Sequence, residues 1–253
     1  MSNLFSSQNI DNVGSVLTED GQCIAFNHFR KGFPHVIVIA HGFYNNKDTM
    51  LFQGIADAIQ QYYDVIAFDF RGHGKSSGLF TWTSHEPKDL HSIISYAKEY
   101  KYTKIGILGF SLGAAIALIE ASHNSNIQSL ISVSAPADFW RIDYHFWKDE
   151  MWQDFKLNLG AKGRGKGIRP GNPFLKKIRP IDIVEHISPR PVLFIHGEKD
   201  WLIHPSHSQK LFEKAKERKA LKIIKGGGHA ERMFDVFPDQ FKNVCVQWFQ
   251  QTL

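Results

Sequence analysis

IGILGFSLGAAIALIEA, residues Ile105 to Ala121, reads as a strand, a sharp turn and a helix. Ile105 to Leu108 is an apolar run suited to a strand buried on both faces. Gly109-Phe110-Ser111-Leu112-Gly113 makes the turn, and an Ala-rich apolar helix leaves it with no breaker before Ser122. Strand, Gly-x-Ser-x-Gly, helix is the nucleophile elbow. Its serine must sit at a strained corner so that the hydroxyl points out of the sheet. A side chain at Gly109 or Gly113 would collide with the neighbouring strand or helix, and Ala114 and Ala115 continue the small surface.

Working outward from the elbow, strand and helix patterns alternate. Val13 to Leu17 and Cys23 to Phe29 read as an antiparallel pair around the Asp20-Gly21 turn. Val36 to Ala40 is a short apolar strand ending in His41-Gly42-Phe43. Thr49 to Tyr62 has helical apolar spacing, Val65 to Phe68 is a strand, and His85 to Tyr100 is a helix with Leu90, Ile93, Ile94 and Ala97 on one face. Beyond the elbow, Ile127 to Val133 is a strand, Ile181 to Ile187 a short helix and Pro191 to Ile195 a strand. Ser206 to Arg218 is a helix, Leu221 to Ile224 the last strand, and Val236 to Phe249 a closing helix. The alternation predicts an α/β fold with a mostly parallel sheet of about eight strands and helices on both faces. Ligands of such sheets bind beyond the carboxyl ends of the strands. His41, Asp69, Ser111, Asp200 and His229 each follow a predicted strand.

At 253 residues the chain is long enough for a full core, and one domain, 1–253, accounts for it better than two. Between Ala135-Pro136 and Pro180 the pattern changes, and we read 136–180 as a lid or cap insertion within that domain. Its first part is crowded with Phe139, Trp140, Tyr144, Phe146, Trp147, Trp152 and Phe155. From Lys156 to Arg179 there are eight Lys or Arg and no Asp or Glu, so the net charge of +5 is concentrated there. A solvated basic loop is the plain reading; attraction of an anionic substrate, a membrane surface or nucleic acid are the others. The start, MSNLFSSQNIDNV, has neither a basic opening nor an apolar run, so no signal peptide is expected. Ile105 to Ile119 is too short to span a membrane. Cys23 and Cys245 form no disulfide framework or metal spacing, and a cytoplasmic location is expected. Despite thirteen histidines there is no His-Glu-x-x-His or paired-cysteine motif, and neither a metal nor a cofactor is expected.

A serine hydroxyl is a weak nucleophile at neutral pH and needs a base, which in turn needs a group to fix its tautomer. In an elbow fold the chain order is serine, acid, histidine. His229, on the Gly226-Gly227-Gly228 loop after the last strand, stands where the base belongs. Asp200 stands after the preceding strand, with Glu198 as its rival and Asp138, after the sixth strand, as a second one. His204 and His207 are read as surface residues, and His41 as a brace of its loop or a pocket residue. The Arg71 to Ser76 loop looks like a phosphate cradle, but Asp69 occupies the position of the required glycine. Gly160 to Lys166 fits Gly-x-x-x-x-Gly-Lys, yet Gly167 replaces the needed Ser or Thr.

The pieces His41-Gly42-Phe43, Asp69 to Ser76, Gly109 to Gly113, His196-Gly197-Glu198-Lys199-Asp200 and Gly228-His229 lie in one order along nearly the whole chain. In them the chain resembles the α/β-hydrolases, within them the small microbial serine esterases and acyl hydrolases with a short lid. The resemblance implies Ser111 as nucleophile, His229 as general base and acid, and Asp200 as its orienter. It also implies an oxyanion hole from the backbone N–H groups of Phe43 and Leu112. His41-Gly42-Phe43 departs from the Gly-Gly-Gly form of some lipases, so substrate preference does not carry over from that branch. The expected activity is cleavage of small-molecule carboxylic esters through an acyl-enzyme. A thioesterase, lysophospholipase, amidase or peptidase would use the same residues. A non-catalytic binding protein is the alternative of another class, and nucleic acid is not an expected partner. The insertion is expected to supply an apolar pocket over Ser111, with His41, Tyr44, Phe139, Trp140, Tyr144 and Trp147 as candidate lining. Its aromatic and basic stretch, 139–179, also suits peripheral contact with a membrane interface.

Overall fold

Val36 to Ala40 and Val65 to Phe68 are apolar without interruption because both faces of each strand are covered. In the computed structural model, which describes residues 12–139, 142, 152 and 167–253, these runs are central strands of one sheet. The strands are β1 (Asn12–Leu17), β2 (Cys23–Phe29), β3 (His35–Ala40), β4 (Asp64–Phe68), β5 (Lys104–Phe110), β6 (Ser129–Val133), β7 (Val192–Gly197) and β8 (Lys219–Ile224). Their spatial order is β1-β2-β4-β3-β5-β6-β7-β8. β1 pairs antiparallel with β2, and β2 with β4; every later pairing is parallel. The eight strands foreseen from the apolar runs are the eight observed.

The described helices are α1 (Met50–Ile59), α2 (Glu86–Glu99), α3 (Leu112–His123), α4 (Pro180–Ile183), α5 (Ser206–Lys214), α6 (Arg232–Val236) and α7 (Pro238–Thr252). They divide between the two faces of the sheet. On β3, Val36, Val38 and Ala40 join the core under α2, α3 and α5, where Leu90, Ile93, Ile116, Ala117 and Leu211 pack. Ile37 and Ile39 point the other way, to Phe52 and Ile55 of α1 and Phe241 and Phe249 of α7. The two-residue period of a strand produces this division. α3 is buried nearly all round, which explains why its sequence shows no polar stripe.

Among the boundaries that differ from the sequence expectation, three have a clear local cause. The closing helix is two helices, because Phe237 leaves the helical region (φ −129°, ψ 58°) and Pro238 begins α7. A proline lacks the N–H that a continuous helix would need and fits a first turn instead. α5 stops at Lys214, short of Arg218, because Ala215 is extended and Arg218 has φ +67°. The sixth strand begins at Ser129 rather than Ile127, since Asn124 to Gln128 form the turn that brings the chain off α3.

Two ion clusters, built on the buried Asp69 and the buried Arg71–Asp89 pair, tie the loops at the carboxyl end of the sheet. Asp69 Oδ1 accepts Lys47 N–H at 2.7 Å and Oδ2 accepts Lys75 N–H at 2.8 Å. The loop that resembles a phosphate cradle therefore turns its Lys75 amide onto its own Asp69 carboxylate. Arg71 is clasped by Asp89 of α2, which accepts both its backbone N–H and its Nε–H at 2.8 Å, and by Asp20 from the β1–β2 turn. These clamps hold the 41–49 and 69–77 loops beside the elbow.

Candidate active site

Ser111 sits between β5 and α3 with φ 51° and ψ −116°. A side-chain-bearing residue occupies that region only when its surroundings impose it. Ser111 N–H donates to Val133 O at 2.7 Å, and the flanking glycines allow the close approach. A Cβ on Gly113 would lie 2.3 Å from His41 O and 2.4 Å from Ala40 O; one on Gly109 would lie 2.7 Å from Ala114 Cα. α3 thus starts hard against the end of β3.

The structure brings three strand-end residues together. His229 Nε2 is 2.9 Å from Ser111 Oγ. His229 Nδ1 is 2.8 Å from Asp200 Oδ2 and 2.9 Å from Oδ1. With Asp200 ionised and accepting, Nδ1 carries the proton and Nε2 is left as a base facing the hydroxyl. Asp200 Oδ1 also accepts the N–H groups of Leu202 and Ile203 at 3.0 and 2.9 Å. Oδ2 lies 3.1 Å from His196 Nε2. Burial alone would raise the Asp200 carboxyl, but the charge of His229 and the hydrogen bonds from His196 and His229 outweigh it and hold it well below the ordinary range. His196 is itself fixed, with Nε2 2.8 Å from Ile203 O and Nδ1 2.6 Å from Ser208 Oγ. A chain of polar contacts therefore runs from the fully buried Ser208 and His196 to Asp200, and on through His229 to Ser111.

Glu198 does not join this arrangement; its carboxylate accepts Gly226 N–H at 2.9 Å. Asp138 pairs with Arg179 at 3.4 Å. His204 is exposed, but His207, expected on the surface, is buried, with Nδ1 3.1 Å from Ala137 N. The amphipathic spacing of α5 hid this, because His207 faces the Ala137 backbone rather than solvent.

Gly42 packs against the elbow, its missing Cβ position 3.3 Å from Ser111 Cβ. The Phe43 N–H next to it and the Leu112 N–H at the start of α3 donate to nothing among the described residues. Two backbone donors beside a serine hydroxyl suit an oxygen that gains negative charge. Tyr44, half exposed with φ +63°, follows, its ring 4.1 Å from that of Phe43. Phe43 also meets Phe80 and Trp82 at 5.3 and 5.0 Å.

As a pocket residue, His41 requires correction. It is buried, Nδ1 donates to Gly42 O at 2.7 Å, and Nε2 accepts Phe70 N–H at 3.1 Å. Burial and the neighbouring His73 hold it well below the ordinary histidine value. It is a neutral brace with no ring nitrogen left for a substrate. Phe139 is half-buried after β6. Trp140, Tyr144 and Trp147 lie outside the described residues. Among the described residues no group of three or more His, Cys, Asp or Glu is placed to hold a metal ion, and no helix is long and apolar enough to cross a membrane. Reading the sequence missed the role of His196, the Trp201 ring 6.3 Å from that of His229, and a buried contact between Asn45 and Glu231. The His-Gly repeat at the ends of β3 and β7 was a signal for His196; no local pattern announces the other two.

The model of the α/β-hydrolase fold family matches residues 35–166, more than half of the chain. The chain belongs to the α/β-hydrolase fold family. A second model, described as serine aminopeptidase S33, matches residues 181–233, the part of this hydrolase-fold chain that carries Asp200 and His229. Uncharacterized protein YqkD of Bacillus subtilis is 30% identical over 214 residues, covering 78% of this α/β-hydrolase and 65% of its own length. The chain therefore spans less than two thirds of that relative. Human serine hydrolase BPHL is 24% identical over 236 residues, 85% of this chain and 79% of its own. Among solved structures, esterase Pf2001 of Pyrococcus furiosus superposes with a TM-score of 0.79 at 21% identity, covering 100% of this α/β-hydrolase and 97% of that chain. That likeness is one of fold.

Proposed function

We propose that this α/β-hydrolase is a serine hydrolase that cleaves carboxylic esters through an acyl-enzyme. The observation that carries the reading is the chain Ser111 Oγ, His229 Nε2 at 2.9 Å, His229 Nδ1, Asp200 Oδ2 at 2.8 Å. Ser111 Oγ attacks the ester carbonyl carbon while His229 Nε2 takes its proton. Asp200 holds the Nδ1–H tautomer and stabilises the imidazolium. The N–H groups of Phe43 and Leu112 receive the negative oxygen; losing one such donor costs roughly 3–4 kcal/mol of barrier. His229 then gives its proton to the leaving alcohol, and a water activated by His229 releases the acid. The names of the human serine hydrolase and the archaeal esterase agree with this chemistry.

We assign residues 136–180 as a lid within the one domain. Its C-terminal root is tied down: Phe80 N–H donates to Arg169 O at 2.9 Å, Gly171 N–H to Phe80 O at 2.7 Å. Phe174, 88% exposed beside Lys176, supports peripheral membrane contact by 139–179. The free thiols Cys23 and Cys245 support a cytoplasmic setting. Turnover of short p-nitrophenyl esters tests the function: Ser111→Ala abolishes it with the fold intact, and unchanged turnover in that variant refutes the assignment. The aminopeptidase match over 181–233 favours a second reading, amide cleavage by the same residues. Faster turnover of aminoacyl 4-nitroanilides than of the matching esters would select it.

A further inference from the structure

The oxyanion loop and the histidine loop come from opposite ends of the chain, yet one side-chain contact joins them. Asn45 Nδ2 donates to Glu231 Oε1 at 2.8 Å, across 186 positions of sequence, with both residues buried. Asn45 is two residues beyond Phe43, and Glu231 is two residues beyond His229. We propose that Asn45 and Glu231 are a positioning pair that fixes where the Phe43 N–H lies relative to His229. The proposal rests on reading Ser111, His229 and the Phe43 N–H as the reacting machinery.

Each partner is rigidly coupled to the group it would place. Asn45 N–H donates to Gly42 O at 3.3 Å and its amide reaches Phe43 O at 3.4 Å, so side chain and turn move as one. Tyr44 holds the turn in the left-handed region at φ +63°. On the other side, Arg232 N–H donates to His229 O at 2.9 Å, closing a turn that contains Glu231. Ala230, at φ +46°, donates its N–H to Ser134 Oγ at 3.2 Å. The far end of the oxyanion loop is pinned independently, at Lys47 N–H on Asp69. The Asn45–Glu231 contact ties the segment carrying Phe43 to the histidine loop, whereas the Lys47 and His41 bonds tie it to the 69–70 side.

The chemistry of Asn45 favours placement over stability. Its Oδ1 is buried with no hydrogen-bond partner among the described residues, a cost that an apolar residue of similar size would avoid. A carboxylate can only accept, so Glu231 forces the Nδ2 end of the amide toward itself and selects one orientation of the turn. An oxyanion donor must lie about 2.7–3.1 Å from the developing charge, and a displacement of about 1 Å costs roughly a hundredfold in rate. Such an interaction acts on the transition state more than on the bound ester, so its loss appears in kcat rather than KM.

The test compares the full chain with Asn45→Ala, Glu231→Leu, Glu231→Gln and the Asn45→Ala/Glu231→Leu double variant. The readouts are steady-state kinetics on a p-nitrophenyl ester, fluorophosphonate labelling of Ser111 and thermal melts. Asn45→Ala and Glu231→Leu are expected to lower kcat about 10- to 100-fold with KM changed less than about threefold. Glu231→Gln keeps the accepting oxygen and is expected to recover to within about threefold of wild type. The double variant should be no worse than the poorer single one, because both remove the same contact. Unchanged kcat in Asn45→Ala, a Glu231→Gln as damaged as Glu231→Leu, or additive losses would overturn the pair. If Glu231→Leu does not fold, Asn45→Ala and Glu231→Gln carry the same comparison. A wild-type chain that neither turns over the ester nor takes the fluorophosphonate overturns the serine-hydrolase reading itself. A wild-type chain that does both, beside unaffected variants, overturns only the positioning role.

Discussion

His196 Nε2 lies 3.1 Å from Asp200 Oδ2, so the carboxylate facing His229 is backed by a second imidazole. That imidazole is in turn set by Ser208 and the Ile203 carbonyl. Replacing His196 by Phe keeps the ring volume and removes the donor. A hydrogen bond to a charged group is worth about 1.5–3 kcal/mol. With half or more of that expressed in the transition state, kcat/KM falls about tenfold. Steady-state kinetics check this; an unchanged kcat/KM would make His196 a packing residue only.

Asp200 and Glu198 compete for the same role on sequence grounds and separate in space. Asp200→Asn is expected to lower kcat by roughly 10⁴, the loss seen when the histidine is left in the wrong tautomer. Glu198→Gln keeps an acceptor for Gly226 N–H and should leave kcat within about twofold. Kinetics of the two purified variants decide between them, and equal losses would refute the assignment of Asp200.

The pH profile isolates the base. Asp200 is held below the ordinary carboxylate range in the fold. The stability it contributes is therefore present above the unfolded-state value of about 3.9 and is lost only as pH falls through its lower folded value. Asp200 stays ionised throughout the range in which histidine titrates. The acid limb of kcat/KM between about pH 5 and 8 is expected to follow one proton, the one that occupies His229 Nε2. A flat profile over that range would remove His229 as base.

Gly113 is the tightest point of the elbow. In Gly113→Ala the new methyl would meet His41 O at 2.3 Å and Ala40 O at 2.4 Å, both backbone atoms that no side-chain rotation can move aside. Overpacking of that kind costs about 3 kcal/mol. For a chain of this size that corresponds to a Tm lower by roughly 6–12 °C. Calorimetry of the variant checks it, and a Tm within a degree of wild type would contradict the close approach of α3 to β3.

The architecture was legible because its signals are local. Apolar runs, Gly-x-Ser-x-Gly and the glycines before His229 each announce an element or a turn from adjacent residues. The three residues of the hydrogen-bonded chain were legible too, since each ends a strand and a parallel sheet gathers strand ends on one side. His41 shows the limit: its place at a strand end was visible, but the Phe70 N–H that occupies its Nε2 comes from another strand's loop. The break at Phe237 is a different case: Pro238 is a local signal for it, but the apolar spacing that continues across the break masks it.

The sequence by itself determined the sheet, the strand-turn-helix at Ser111 and the strand-end places of Asp200 and His229, because backbone preference and strand or helix period are written into neighbouring residues. Only the tertiary structure decided that Asp200 rather than Glu198 meets His229, that His41 is a buried brace, and that Asn45 touches Glu231 across 186 positions. Each of those depends on which loops the sheet order brings side by side. Distance along the chain carries no information about that until the sheet has formed.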